Sequence, residues 1–528
     1  MDSDTASDTK HAKPDNRLAR WVVMLIGILS VASALAVSHL VAGIVDPDAS
    51  AFVAVGNSVR DLSPPAVTEF AISELGDLKG PLLFGGLGAA LLVVAMIAGL
   101  VSRRRPWPGM AFAAVIGLVG LAAVLSQFNV EPLGILAPIA SLVAGVGVFG
   151  WLHRLASRKA EPKEEETETA GPSRRKFLVT SAGVAVGAGV LGGGGQLLAG
   201  RLDVESSRAN VGALKPTTAA PAIPNGADFA SIGTPRFITS NRDFYRVDTA
   251  LLGVPQVRAE DWILRIHGMV DESKTFTFND IRQRDLVERT ITMTCVSNQV
   301  GGGYISTANF IGVPLRDLLD EAGVKEGSDQ LFSTSVDGWT AGTPVEAVMD
   351  RNRGALLAIG MNGEALPAEH GFPARMVVPG LYGFVSATKW VADLELTTFD
   401  AKQSYWLKRD WAQKAPIKTQ SRIDVPGGFA NVPAGVVTIA GISWAQHIGI
   451  DKVEVRVDGG EWRPATLATE VNKQTWRMWK VDVELGGGNH TAEVRATDRN
   501  GRTQTEERAE PIPNGASGWH SSQFTVSA

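Results

Sequence analysis

The sequence predicts three parts: an N-terminal multi-helix transmembrane region, a soluble α+β domain and a C-terminal all-β sandwich. Three observations predict them. Up to about residue 200, long apolar runs alternate with short charged joints. Beyond that point the composition is that of a soluble globular protein, with short β-type runs and a few helices but no βαβ alternation. From about Thr419 onward, short strands with alternating valines and charges are separated by turn signals. At 528 residues the chain is too long for one ordinary core.

Four segments of the first part are apolar for the length of a bilayer crossing: Trp21 to Gly43, Pro81 to Val101, Pro108 to Gln127 and Pro132 to Leu152. A fifth, Phe177 to Gly200, is richer in glycine and alanine. Basic residues set the orientation, because cytoplasmic loops collect lysine and arginine. Lys10, Lys13, Arg17 and Arg20 precede the first span, Arg103 to Arg105 separate the second and third, and Arg154, Arg158, Lys159 and Arg174 to Lys176 separate the fourth and fifth. The joints on the other side carry only Arg60 and Lys79. The expected topology is therefore a multi-pass cell-membrane protein with a cytoplasmic N-terminus and an extracytoplasmic soluble half. Ser173-Arg174-Arg175-Lys176-Phe177-Leu178 resembles a twin-arginine export signal placed deep in the chain. No haem is expected in the anchor, since His39 and His153 lie at opposite ends of their spans.

The net charge of -5 gives no reason to expect nucleic-acid binding. There is one cysteine, so an intrachain disulfide, a multi-cysteine metal cluster and covalent haem attachment are all excluded. That cysteine is delivered by the β-rich run Ile291-Thr292-Met293-Thr294-Cys295 and is followed by Gly301-Gly302-Gly303. Glycines let backbone approach a ligand closely, and a thiolate is a soft ligand suited to a polarizable metal. After it, Gly312-Val313-Pro314-Leu315 reads as a loop feeding a helix that buries Leu315, Leu318 and Leu319.

Thr294-Cys295-Val296-Ser297-Asn298, the glycine loop and Gly312-Val313-Pro314-Leu315 together resemble the molybdopterin domain of sulfite oxidases and plant-type nitrate reductases. His370-Gly371-Phe372-Pro373-Ala374-Arg375 through Pro379-Gly380, then Lys389-Trp390, extends the likeness. So does Asn241-Arg242-Asp243-Phe244-Tyr245-Arg246. The resemblance implies a molybdenum ion on Cys295, carried by molybdopterin. It implies that His370, Arg375 and Lys389, with Ser386 as neighbour, hold the pterin or its phosphate. Asn241, Phe244, Tyr245 and Arg246 would form the entry to the pterin site, and Asp337 would contact the pterin. Cys295, Arg246 and Arg375 are the candidate catalytic residues, the two arginines attracting an anionic or dipolar substrate.

The C-terminal stretch resembles the immunoglobulin-like dimerisation domain of the sulfite oxidases, which implies a homodimer. Trp462, Trp476, Trp479 and Trp519 are expected in its core or interface. The expected boundaries are a four-helix anchor over 1–160, a cytoplasmic joint with the export-like motif and fifth segment over 161–200, a linker over 201–235, the molybdopterin-binding domain over 236–415 and the sandwich over 416–528.

Oxygen-atom transfer to or from a small substrate is implied, with electrons passing to an external cytochrome or quinone carrier. Two departures matter. Where sulfite oxidases continue the cysteine with x-G-N-R-R, this chain has Val296-Ser297-Asn298-Gln299-Val300. After Trp406-Leu407-Lys408-Arg409-Asp410 the family tyrosine is replaced by Trp411. Sulfite-type oxidation therefore stands beside reduction of an S-oxide or N-oxide, and beside a non-catalytic surface binding module.

Overall fold

The structure is a computed structural model that describes residues 17–46, 49–75, 78–127, 132–157, 172–199, 203–250 and 254–527. It forms two compact units, Met1–Arg201 and Leu202–Ala528.

In the first unit five helices among the described residues are long and apolar enough to cross a membrane: Arg20–Val45, Lys79–Val101, Trp107–Leu125, Pro132–Ser157 and Arg175–Gly195. Each lies within a few residues of an expected span. The first is the hub, packing against the second, fourth and fifth. Polar side chains inside this apolar bundle need partners, and buried Ser30 donates to the Gly145 carbonyl at 2.7 Å. A further helix, Ala51–Leu62, occupies what the sequence reads as a plain joint. Ser173 to Leu178 opens the helix Pro172–Ala199, so the export-like motif and the fifth span are one continuous element. The acidic joint Glu161 to Glu168, with Lys10, Lys13, Arg158 and Lys159, lies outside the described residues.

The second unit begins with a departure from expectation. Residues 203–235 are not a slack linker. They carry the helix Val204–Val211, capped by the Asp203 carboxylate on the Ser206 N–H. This segment is pinned to the domain by Ser207 donating to Glu260 at 2.6 Å and by Thr217 N–H donating to Leu286 O at 2.7 Å. The segment also buries Val204, Val211 and Leu214, but apolar residues this sparse conceal it in the sequence, and hydrogen bonds complete its attachment.

The α+β domain contains strands β1 (Ile263–Gly268), β2 (Lys274–Thr277), β3 (Val287–Thr294), β4 (Ile305–Pro314), β5 (Gln330–Ser335), β6 (Thr340–Pro344), β7 (Leu356–Met361), β8 (Glu364–Ala365), β9 (Arg375–Val377) and β10 (Val391–Thr397). One sheet runs β2-β1-β10-β5-β6, with β1 and β10 parallel, Arg265 opposite Asp393. The other runs β3-β4-β7-β8, and β9 also pairs with β7. Gly312 to Pro314 is not a loop: β4 continues through Pro314 straight into the helix Leu315–Ala322. That helix buries Leu315, Leu318 and Leu319 as its spacing requires, each contributing about 2 kcal/mol of transfer free energy.

The C-terminal part adds β11 (Gln420–Val425), β12 (Asn431–Pro433), β13 (Gly435–Trp444), β14 (Ile450–Val457), β15 (Arg463–Pro464), β16 (Thr466–Leu467), β17 (Arg477–Leu485), β18 (Gly488–Asp498) and β19 (His520–Ser527). They form two sheets, β11-β13-β17-β16 and β12-β19-β18-β14-β15. Alternation puts every second side chain inside. Ile439, Trp479 and Val483 of one sheet therefore share a core with Val453, Val494 and Phe524 of the other. Trp476 is buried as well, whereas Trp462 and Trp519 are half-buried and meet edge to face at 5.0 Å.

The strand that leads to Cys295 is the outer strand of its sheet, and its open side is closed by the C-terminal part. Thr292 N–H donates to Gln474 O at 3.0 Å, and Asn472 donates to Thr290 O at 3.0 Å.

Candidate active site around Cys295

Cys295 stands at the exit of β3. Its N–H bonds to Tyr304 O across the start of β4 at 3.0 Å, and its carbonyl accepts the Asn298 N–H at 3.1 Å, which turns the chain back. Asn298 locks this turn by accepting the Tyr304 N–H at 2.8 Å. Gly301 follows with φ +79°, a backbone state that favours glycine, and a Cβ there would meet the His520 ring at 2.1 Å. The cysteine is half-buried. Desolvation raises its pKa, while the Ser297 N–H and hydroxyl and the Lys389 charge pull the other way.

Around this thiol the fold gathers residues from distant parts of the sequence. The Tyr245 hydroxyl feels both Cys295 and Arg375, and burial pushes its pKa well above the ordinary value. Its ring stacks on Phe244 at 5.3 Å, and Phe244 in turn meets His370 edge to face at 5.4 Å. Lys389 donates to Asp248 at 3.2 Å and to Glu369 O at 3.0 Å; burial brings its pKa down to about 8, with Arg375 and Arg246 adding repulsion. Arg246 pairs with the same Asp248 at 2.9 Å. Arg375, 3% exposed, donates to His370 O at 3.0 Å and to Ala387 O at 3.4 Å, and burial lowers its pKa to about 10.

Among the described residues Asp248 thus pairs with both Lys389 and Arg246, and Arg375 adds a third cation that is buried. Cations gathered in this way suit an anionic group.

His370 supplies a different kind of group. Its Nε2 lies 2.9 Å from Asn241 O, an acceptor, so Nε2 carries the proton and Nδ1 is a bare acceptor. Nδ1 is buried and has no partner among the described residues. Burial, then the charges of Arg375 and Lys389, bring the His370 pKa to about 4, so the ring is neutral at pH 7. A buried acceptor beside buried cations suits a ligand with both N–H donors and an anionic group, which is the chemistry of molybdopterin. Among the described residues no three His, Cys, Asp or Glu side chains gather to hold a metal. A metal on Cys295 would therefore take its remaining ligands from the group that brings it.

Cys295, Phe244, Tyr245, Arg246, His370, Arg375 and Lys389 are therefore brought together. The other three sequence candidates have local duties. The Asn241 side chain donates to Glu364 at 2.6 Å and accepts from Asn362 at 2.8 Å, so its part in the site is the carbonyl that fixes the His370 tautomer. The Ser386 hydroxyl is shared between Leu381 O and Tyr382 O, both at 3.0 Å. Asp337 accepts from the Ser335 hydroxyl at 2.6 Å and the Trp339 N–H at 3.3 Å, capping the β5–β6 turn. Sequence reasoning missed Asp248 and Ser297. Asp248, two residues after Arg246, is 6% exposed and neutralises two of the cations. Trp411 is buried against Trp406 at 5.0 Å and Phe384 at 5.3 Å, and its indole N–H has no partner among the described residues.

Residues 251–406 match the family model described as the oxidoreductase molybdopterin binding domain. The mitochondrial sulfite oxidase of Macaca fascicularis is 29% identical over 301 residues, covering 48% of this chain and 54% of that protein. An inducible NADH nitrate reductase of Glycine max is 29% identical over 319 residues, covering 48% of this chain and 35% of that protein. The chain thus spans about half the length of the first curated relatives it matches. The solved sulfane dehydrogenase SoxCD of Paracoccus pantotrophus is 24% identical, with a TM-score of 0.49 over 58% of this chain and 88% of that one. The thiol, Arg375, Lys389 and the bare histidine acceptor all fall inside residues 251–406, the segment that matches the oxidoreductase molybdopterin binding domain and is sulfite oxidase-like in sequence.

Proposed function

We propose that this chain is a membrane-anchored, extracytoplasmic molybdenum oxidoreductase that moves an oxygen atom to or from a small substrate and passes electrons to an external carrier. The observation that carries the reading is the gathering of the buried cations Lys389 and Arg375, the partly exposed Arg246 and the bare His370 acceptor around the chain's single thiol. When bound there, the molybdenum cofactor would supply the two-electron redox chemistry.

The protein's own contributions follow from its residues. The Cys295 sulfur would ligate the metal, and the cost of desolvating a thiolate would be met by the metal's charge. Lys389 and Arg375 would hold the anionic arm of the pterin, and His370 Nδ1 would accept a pterin N–H. Arg246, with a third of its side chain exposed, is the cation placed to meet an anionic or dipolar substrate. The Tyr245 hydroxyl lies within the fields of Cys295 and Arg375, where it would line the reacting centre.

Five apolar helices and the distribution of basic residues support the anchor and its orientation. The immunoglobulin-like character and dimeric use of the C-terminal sandwich belong to the same proposal. Reduction of an S-oxide or N-oxide is a second reading, supported by one feature: Trp411 stands where sulfite oxidases have a tyrosine and offers no phenolic proton.

Elemental and pterin analysis of the purified full chain tests the cofactor. Sulfite with an artificial acceptor, run beside methionine sulfoxide with a reduced dye, separates the two readings. Cys295→Ser is expected to abolish whichever activity is found and to shift the thermal midpoint by no more than about 4 °C, as befits one conservative change. A serine variant with full activity would reject the role of the thiol.

A further inference from the structure

The C-terminal sandwich does more than lie beside the domain that holds Cys295. It grips the chain on both sides of the thiol. Before the cysteine, β3 pairs with β4 on one side, and among the described residues its other edge is bridged outside the sandwich at Val287 by Thr218, so without the sandwich its last residues would be free to slip or fray. Gln446, at the end of β13 and 3% exposed, closes that edge at its last residues. Its amide donates to Thr292 O at 3.3 Å and to the Thr294 hydroxyl at 3.1 Å, the residue directly before the thiol. After the cysteine, Arg422 of β11 donates to Gly302 O at 2.8 Å. Asp424 holds that guanidinium in place at 2.7 Å, both side chains being about nine-tenths buried. The His520 ring, oriented by the Ile423 N–H on its Nδ1 at 3.0 Å, packs against Gly301 so closely that no side chain fits there.

We propose that Gln446 and Arg422 are positioning residues for the thiol, and that the sandwich is an integral part of the metal site. The proposal rests on the reading of Cys295 as the metal ligand. Its geometry stands apart from that reading, because the contacts exist without the metal. A thiol between two anchored segments is held in one place before any cofactor arrives, which is how a preorganised ligand site works. Buried amide and guanidinium donors are demanding anchors, since a shift of the carbonyl they serve leaves them unpaired.

The single cysteine gives a direct probe, because every alkylation event on the chain reports Cys295. The full chain in detergent is compared with Gln446→Ala, Arg422→Ala, Arg422→Lys and Val453→Ala, the last in the sandwich core away from the thiol. Molybdenum and pterin are measured first; the cofactor is then stripped, and maleimide labelling rate and thermal midpoint are recorded. Loss of one buried hydrogen bond corresponds to about tenfold easier local opening, so labelling is expected to rise about tenfold in Gln446→Ala and Arg422→Ala. Arg422→Lys should recover most of the protection. Val453→Ala should lower the midpoint while labelling at the wild-type rate. In the loaded protein, both alanine variants should alter the Mo(V) paramagnetic resonance spectrum.

Wild-type labelling rates in both alanine variants, or an equal rise in Val453→Ala, would overturn the proposal. Should Gln446→Ala fail to fold, the contrast between Arg422→Ala and Arg422→Lys decides. A wild-type chain without molybdenum would refute the metal reading alone and leave the labelling result to judge the clamp.

Discussion

At the scale of single residues, the site is a problem in burying charge. Lys389 has its pKa lowered from 10.5 to about 8, so between those values an unfolded chain binds more protons than the folded one. Stability of the cofactor-free protein should therefore rise with pH across that window, by up to about 3 kcal/mol. Lys389→Met should remove the rise, and guanidinium unfolding at pH 7 to 10.5 measures both. His370 works at the other end: its folded pKa of about 4 lies below the ordinary 6.5, so acidification through that interval should destabilise the fold. A bound anion would lift the Lys389 value and flatten the alkaline limb.

Cys295, His370, Arg375 and Lys389 were legible because each sits in a short run whose neighbours are also unusual: a glycine loop, a proline-spaced turn, a tryptophan. Asp248 was not legible, since an acid two residues from an arginine is common and only the fold brings Lys389 to it. For Asn241 the sequence names the residue but not the atom. Its side chain is occupied by Glu364 and Asn362, and its carbonyl serves the site.

At the scale of elements, the β4-to-helix junction shows where pattern reading stops. Gly312-Val313-Pro314-Leu315 has the composition of a loop, yet it is strand up to Pro314. The ladder shifts register between Ile311 and Gly312, and a Cβ on Gly312 would lie 2.0 Å from Leu357 O. Close approach of neighbouring backbone explains the glycine, and proline is admitted because the strand ends there. Gly312→Ala should therefore cost about 2 kcal/mol or more by forcing β4 away from β7, readable as a lowered denaturant midpoint with an unchanged slope. The helix that follows was legible in full, because Leu315, Leu318 and Leu319 repeat at the helical period and all three are buried. The segment 203–235 was not, as its few buried apolar residues, Val204, Val211 and Leu214, are too sparse to mark it and hydrogen bonds complete its order.

At the scale of the whole molecule, apolar helices come first and sheet-rich structure follows, as length and period report directly, and the chain forms two compact units. The proposed placement across the membrane has its own test. Arg174→Lys combined with Arg175→Lys should leave the soluble half on the cytoplasmic side, protected from protease added to spheroplasts; digestion as in the wild type would show that the paired arginines are only a positive flank. The way the thiol's strand is closed also bears on biosynthesis. Since β1 waits for β10, and the outer edge of β3 waits for residues 472–476, nascent chains released early would lack a finished pocket. On the proposed reading, cofactor insertion would therefore have to wait until residues 472–476 have been made and have reached β3, long after the apolar helices of the first unit.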